Sequence, residues 1–170
     1  MRAFAVPLTA VTALLALTAP ARAADATTEE WVPAPTPSYS FPAGTRCDFP
    51  VRTEPVVDEV VRRTIRSYED DSPMLVAYKG ALVVRVTNAE TGAYVDADAG
   101  GRALIDFRPD DSQYWRVSGP ILAGFGENTG TLPRGLYTLD GAYTLEISPT
   151  GHKTLTMAHG TTENLCERIG

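Results

Sequence analysis

Residues 143–157, Tyr143-Thr144-Leu145-Glu146-Ile147-Ser148-Pro149-Thr150-Gly151-His152-Lys153-Thr154-Leu155-Thr156-Met157, decide the fold class. Tyr143, Leu145 and Ile147 alternate with Thr144, Glu146 and Ser148, and Leu155 and Met157 alternate with Thr154 and Thr156. Successive side chains of a strand point to opposite faces, so a period of two gives each run one core face and one wetter face. Pro149 and Gly151 between the runs supply the preset and positive φ values that reverse a chain. The stretch reads as an antiparallel hairpin.

The same pattern extends outward. Leu82, Val84 and Val86 share one face of a strand ending at Thr87, and Ala103, Ile105 and Phe107 alternate with Leu104, Asp106 and Arg108. Turn residues at 88–92, 98–101, 109–112 and 140–141 separate the apolar runs, and Asp140-Gly141 is the strongest hairpin signal of the set. Val57, Val61, Ile65 and Tyr68 follow Pro55 with helical spacing, yet β-branched side chains dominate the run and predict strand. Residues 162–168 predict a short helix with Thr162 as its N-cap. The chain is therefore expected to be all-β, an antiparallel meander of about eight to ten strands curled into a small barrel or a two-sheet sandwich.

Two cysteines, Cys47 and Cys166, bracket this β-rich part. Ahead of them Arg2, the apolar run from Val11 to Leu17 and the small-x-small box Ala21-Arg22-Ala23 read as an export signal over residues 1–23, too short to span a membrane. Export places the pair in an oxidising compartment, where a Cys47–Cys166 disulfide would staple the two ends of one domain. Residues 24–45, with Pro33, Pro35, Pro37 and Pro42, read as a Pro-rich disordered leader ahead of a β-domain over 46–170. Trp31, Tyr39 and Phe41 are unusual in such a leader, which either folds back on the domain or leaves them exposed. The expected product is a secreted, extracellular monomer.

Charge removes some partners. The chain has 15 basic and 21 acidic residues, and loss of Arg2 and Arg22 with the signal leaves 13 against 21, a net of −8. Nucleic acid is bound largely through Lys and Arg, so it is not an expected partner, and neither is an anionic membrane after signal cleavage. Catalytic signatures are missing too. His152 and His159 are too few and wrongly spaced for a metal site, and no cofactor motif occurs, whether nucleophile elbow, P-loop or dinucleotide turn. Asp96-Ala97-Asp98-Ala99-Gly100-Gly101 lacks the later ligands of a calcium loop and reads as an acidic turn. Asp106 and Glu146 alternate opposite to apolar neighbours, which faces them to solvent.

What remains is aromatic. Residues 118–135 form a Gly- and Pro-rich stretch that holds Ile121, Leu122, Phe125 and Leu132, flanked by Tyr114, Trp115 and Tyr137. Such a loop either caps an open end of the sheet or lines a site, and Trp115, Phe125 and Tyr137 are the candidate ligand-binding residues.

Cys47-Asp48-Phe49-Pro50-Val51, the run from Gly80 to Asn88 with Thr91-Gly92, Gly119-Pro120, and Glu163-Asn164-Leu165-Cys166 together carry a resemblance. In order they resemble small exported proteins of high-GC Gram-positive bacteria that have no established activity. The resemblance implies an antiparallel β architecture and a terminal disulfide, and it transfers no site. The leading expectation is a non-enzymatic module that binds a small molecule or an envelope component. The alternatives are a barrel-lumen isomerase or hydrolase with a buried carboxylate acid, and a structural or inhibitory protein acting on a protein partner.

Overall fold

A computed structural model describes residues 30–170; the export signal read over 1–23 lies outside them. The described chain is strand from end to end, closed by one helical turn. The strands are β1 (Val32–Pro33), β2 (Tyr39–Phe41), β3 (Val51–Asp58), β4 (Val61–Ser67), β5 (Pro73–Lys79), β6 (Leu82–Asn88), β7 (Tyr94–Asp98), β8 (Arg102–Phe107), β9 (Gln113–Ser118), β10 (Ile121–Phe125), β11 (Gly135–Ile147) and β12 (Lys153–Asn164), and helix α1 (Leu165–Ile169) follows. They form an eight-stranded sheet in the order β1-β4-β5-β8-β9-β11-β10, with β12 also on β11, and a four-stranded sheet β2-β3-β6-β7, all antiparallel. The sheets do not close, so the expected fold takes its sandwich form and not its barrel form.

Two sheets and twelve strands conceal a simpler object, a meander of seven long arms that all cross one crease. β1 continues into β2, β3 into β4, β5 into β6, β7 into β8 and β9 into β10, while β11 and β12 cross without a break. Hydrogen bonds run from arm to arm along the crease: Ala34 N to Val60 O at 2.9 Å, Glu59 N to Ala81 O at 2.8 Å, Ala99 N to Leu82 O at 2.9 Å, Gly101 N to Pro120 O at 2.7 Å, and Gly119 N to Gly141 O at 2.8 Å. Beyond the last of these, Gly141 lies opposite Gly160. Splitting of the arms at the crease accounts for the excess over eight to ten strands.

Glycine makes the bend feasible. Gly141 and Gly160 have φ values of 133° and 138°, which side chains rarely adopt. A Cβ on Gly141 would lie 2.2 Å from His159 O, and one on Gly160 2.0 Å from Asp140 O. This corrects the reading of Asp140-Gly141 as a hairpin turn. Both residues lie inside β11, where the positive φ serves a strand bend and the register slips between Ala142 and Tyr143. Residues 98–101 likewise carry β7 over the crease into β8 and do not reverse the chain. True reversals occur at 88–92, 109–112 and 149–151, as the sequence predicts, and at 69–72.

The leader reading also needs correction. Val32 pairs with Arg62, and Tyr39 with Thr53, so residues 32–41 form the first arm of the meander. Prolines are tolerated there because an edge arm owes no outward N–H to a neighbour. The run from Val57 to Tyr68 is strand as expected except at the crease residues 59–60 and at Tyr68, with Pro55 at a register shift of β3 and two more shifts in β4. Helix α1 starts later than predicted, and its N-cap is Asn164, whose side chain accepts from Cys166 N at 3.2 Å; Thr162 is still in β12.

Two cores result. One joins Val51, Val84, Val86, Ala97 and Leu136 with Leu165 and Ile169 of α1, which packs against β11, β7 and β6. Asn88, buried at the end of β6, donates Nδ2 to Ile169 O at 3.0 Å and secures the helix C-terminus. The Cys47–Cys166 disulfide, spanning 119 residues, fastens the same helix to the turn between the first two arms. The second core fills the bend of β11, with Val117, Ala123, Phe125, Tyr137, Leu139, Tyr143 and Leu145. Tyr143 spans the bend and donates its hydroxyl to Leu139 O at 3.1 Å; burial pushes that phenol well above its ordinary pKa.

Candidate functional site

Bending two apolar sheet faces toward each other leaves space where side chains do not meet. A cavity of about 770 Å³ lies on the inside of the crease. Leu82 and Val84 wall it from the smaller sheet, Ala99 from the crease after β7, and Ile105, Trp115 and Leu136 from the larger sheet. Tyr39 and Phe41 of the first arm stack at 6.0 Å and form part of its rim. A second concavity of about 920 Å³ lies over Leu104, Tyr114, Arg116, Thr144 and Thr156, which share one face of the larger sheet. It is a trough floored by one sheet, so the space between the two sheets is the better candidate.

Of the three aromatic candidates, Trp115 lines the cavity, and its Nε1 donates to Gln113 Oε1 at 2.9 Å. Phe125 and Tyr137 do not line it. They are 0% and 6% exposed and meet edge-to-face at 5.7 Å and 89° in the second core. Strand parity is the reason. Residues 121–125 are a strand and not a loop, with Ala123 opposite Tyr137 and Gly124 opposite Leu136. Leu122, Gly124 and Leu136 therefore look into the cavity while Ala123, Phe125 and Tyr137 look away. The remaining loop, 126–134, caps that core, with Leu132 packed on it and Gly130 held against Lys153.

The polar groups of the cavity are Arg46, Lys79 and Lys153 together with the buried Thr53, Gln113 and the hydroxyls of Thr36, Tyr39 and Tyr78. No Asp or Glu lines it. Arg46 leaves the turn before Cys47, passes over the Phe41 ring at 5.2 Å and lies across β10 at Gly124, where a Cβ would come within 2.6 Å of its Nε. Nη1 donates to Thr45 O at 3.1 Å, while Nε is buried and has no acceptor among the described residues. Lys153 opens β12 on the same face as Leu155 and Met157 and holds its ammonium 5.9 Å over Phe125. Burial lowers the pKa of both groups, and the Arg46 charge lowers that of Lys153 further. Lys79 covers the ring of Trp31 at 4.2 Å, with Arg63 also over that ring at 5.0 Å.

The carboxylates are engaged elsewhere. Asp96 receives both Nε and Nη2 of Arg85 at 2.8 Å, which takes it out of any calcium site with Asp98. Glu146 pairs with Arg108 at 3.0 Å, and Asp48 pairs with Arg134. No carboxylate is buried among the described residues, whereas the lumen-enzyme alternative required one. His152 and His159 are exposed, and no group of three metal-ligating side chains occurs among those residues. The sequence reasoning passed over Arg46 and Lys153. Lys153 carried a legible signal, since extending the parity of Leu155 and Met157 by one step puts it on the apolar face.

The chain matches no protein-family model, no curated protein and no solved structure.

Proposed function

We propose that the protein is a non-enzymatic, exported binding module whose ligand is a small molecule with an apolar body, held between the two sheets. The carrying observation is the cavity of about 770 Å³ walled by Leu82, Val84, Ile105, Trp115, Leu122 and Leu136. Its size falls within the range of about 300–1,000 Å³ common to small-molecule sites, and its few polar groups are the kind that orient a bound molecule. Export is supported by the Cys47–Cys166 disulfide, and no helix among the described residues is long and apolar enough to cross a membrane.

The test uses N-phenyl-1-naphthylamine, a neutral apolar dye that brightens on leaving water. Saturable binding to the purified protein is expected, together with a change in Trp115 emission. Leu122→Trp, which fills the cavity, should abolish it while the urea midpoint shows a folded chain. No saturable binding, or binding that survives the filled cavity, would overturn the proposal.

A further inference from the structure

Three cations, Arg46, Lys79 and Lys153, line an apolar cavity that holds no carboxylate, in a chain whose net charge is negative. Five other arginines, Arg52, Arg85, Arg108, Arg134 and Arg168, each pair with an acidic side chain at the surface. None of the three cavity cations has such a partner among the described residues; Arg62, Arg63, Arg66, Arg102 and Arg116 have none either, but they do not line the cavity. Each cavity cation lies over an aromatic ring, Lys79 over Trp31, Arg46 over Phe41 and Lys153 over Phe125, and Lys79 has the shortest approach at 4.2 Å. Arg46 and Lys153 are left facing the interior with most of their donor capacity unused: a guanidinium has five N–H groups and an ammonium three. Both side chains are half-buried, and drawing a charge even part of the way out of water without a carboxylate beside it is unfavourable. The place is also prepared. Gly124 leaves room for the guanidinium, Phe41 covers it, and the disulfide at Cys47 fixes the backbone next to it.

We infer that the ligand is an amphipathic carboxylic acid, its apolar body between the sheets and its carboxylate taken by Arg46 and Lys153. This inference rests on the cavity reading above and adds the head group. Arg46 keeps N–H groups on its two Nη atoms beyond the one given to Thr45 O, and these lie in one plane, as the two oxygens of a carboxylate require. Lys153 supplies a second charge without geometric demand.

The experiment displaces N-phenyl-1-naphthylamine with dodecanoate and with dodecanol, two molecules that share a body and differ in charge. Dodecanoate should compete at least about tenfold more strongly, the worth of one charge-assisted hydrogen bond. Arg46→Gln and Lys153→Met should each erase most of that preference and leave dodecanol unchanged. Gly124→Ala, which pushes Arg46 aside without altering any charge, should do the same. The neutral variants should also keep or raise the urea midpoint of the free protein, whereas loss of a merely structural contact would lower it. Equal competition by acid and alcohol overturns the head-group inference and leaves the cavity reading standing. A preference that survives both neutral variants overturns the assignment to these residues. Failure of both compounds to displace a bound dye removes the cavity reading as well.

Discussion

Gly160 to Ala isolates the crease. The new Cβ would lie 2.0 Å from Asp140 O, 2.9 Å from Gly141 Cα and 3.0 Å from Asp140 C, all of them main-chain atoms that cannot swing aside. Carbon contacts are comfortable at about 3.5–4.0 Å, so β11 and β12 must separate by ~1 Å or more at this point. A φ of 138° adds about 1–3 kcal/mol of backbone strain for a residue with a side chain. Loss of one or two ladder hydrogen bonds adds ~1 kcal/mol each. The total is about 2–5 kcal/mol, a large share of the ~5–15 kcal/mol that holds a domain together. Gly151 to Ala is the control, because its φ of 82° is also positive but nothing lies within 4 Å of its Cβ; only the backbone cost of about 1–2 kcal/mol applies. With a urea dependence near ~2 kcal/mol per molar, the midpoint should fall by ~2 M for the crease variant and by less than ~1 M for the control. Equal midpoints for the two variants would refute the close-approach account of the bend.

Other consequences are open to measurement. Replacing Cys47 and Cys166 together by serine frees a loop of 119 residues and should cost about 4–5 kcal/mol on the chain-entropy model, read from urea midpoints with the disulfide first verified by intact mass. Leu139, 0% exposed in the bend of β11, should lose ~2–5 kcal/mol on truncation to alanine; a change under ~1 kcal/mol would show that the second core is not packed as described. Asp70 and Asp110 are held below the usual carboxylate pKa by hydrogen bonds from Ser72 and Ser112, and Asp96 by those from Arg85. Their folded pKa values are depressed, so the stabilisation is present above the unfolded value of ~3.9 and is lost as pH falls through the folded ones. The Ser72→Ala, Ser112→Ala double variant should therefore show a shallower loss of urea midpoint on acidification, and an unchanged slope would exclude these turns as its source.

Sequence legibility varied along the chain with the range of the interactions responsible. Alternation at Tyr143, Leu145 and Ile147 was readable because each residue faces one core along a straight half-strand. Residues 56–68 were harder, since the crease at 59–60 and the register shifts in β4 interrupt period two and let Val57, Val61 and Ile65 imitate a helix. Asp140-Gly141 misled because positive φ serves a turn and a bend equally, and only the facing Gly160, nineteen positions away, distinguishes them. One local signal was legible and passed over. Asp70-Asp71-Ser72 and Asp110-Asp111-Ser112 repeat a tripeptide and form matching turns, with Asp71 and Asp111 at φ 64° and 65° and the serine hydroxyls donating to Asp70 and Asp110 at 2.6 and 2.7 Å. In the cavity, Trp115 was found because it lies on an apolar strand face. Arg46 was not, because it follows no periodic pattern and its environment is made by Gly124, far off in sequence.

The crease separates two properties that most small β-domains have to trade against each other. Wall chemistry belongs to side chains such as Leu82 and Leu122, whereas the bend that β11 and β12 share belongs to glycine backbones that approach closely at Gly141 and Gly160. Exchanging the half-buried lining at Leu82 or Leu122 for another guest should leave the frame unmoved, whereas Val84 and Leu136 also belong to the first core, and a single methyl group at the fold line would spring the frame whatever the lining. A designer could thus treat the seven arms as hinged staves with interchangeable linings.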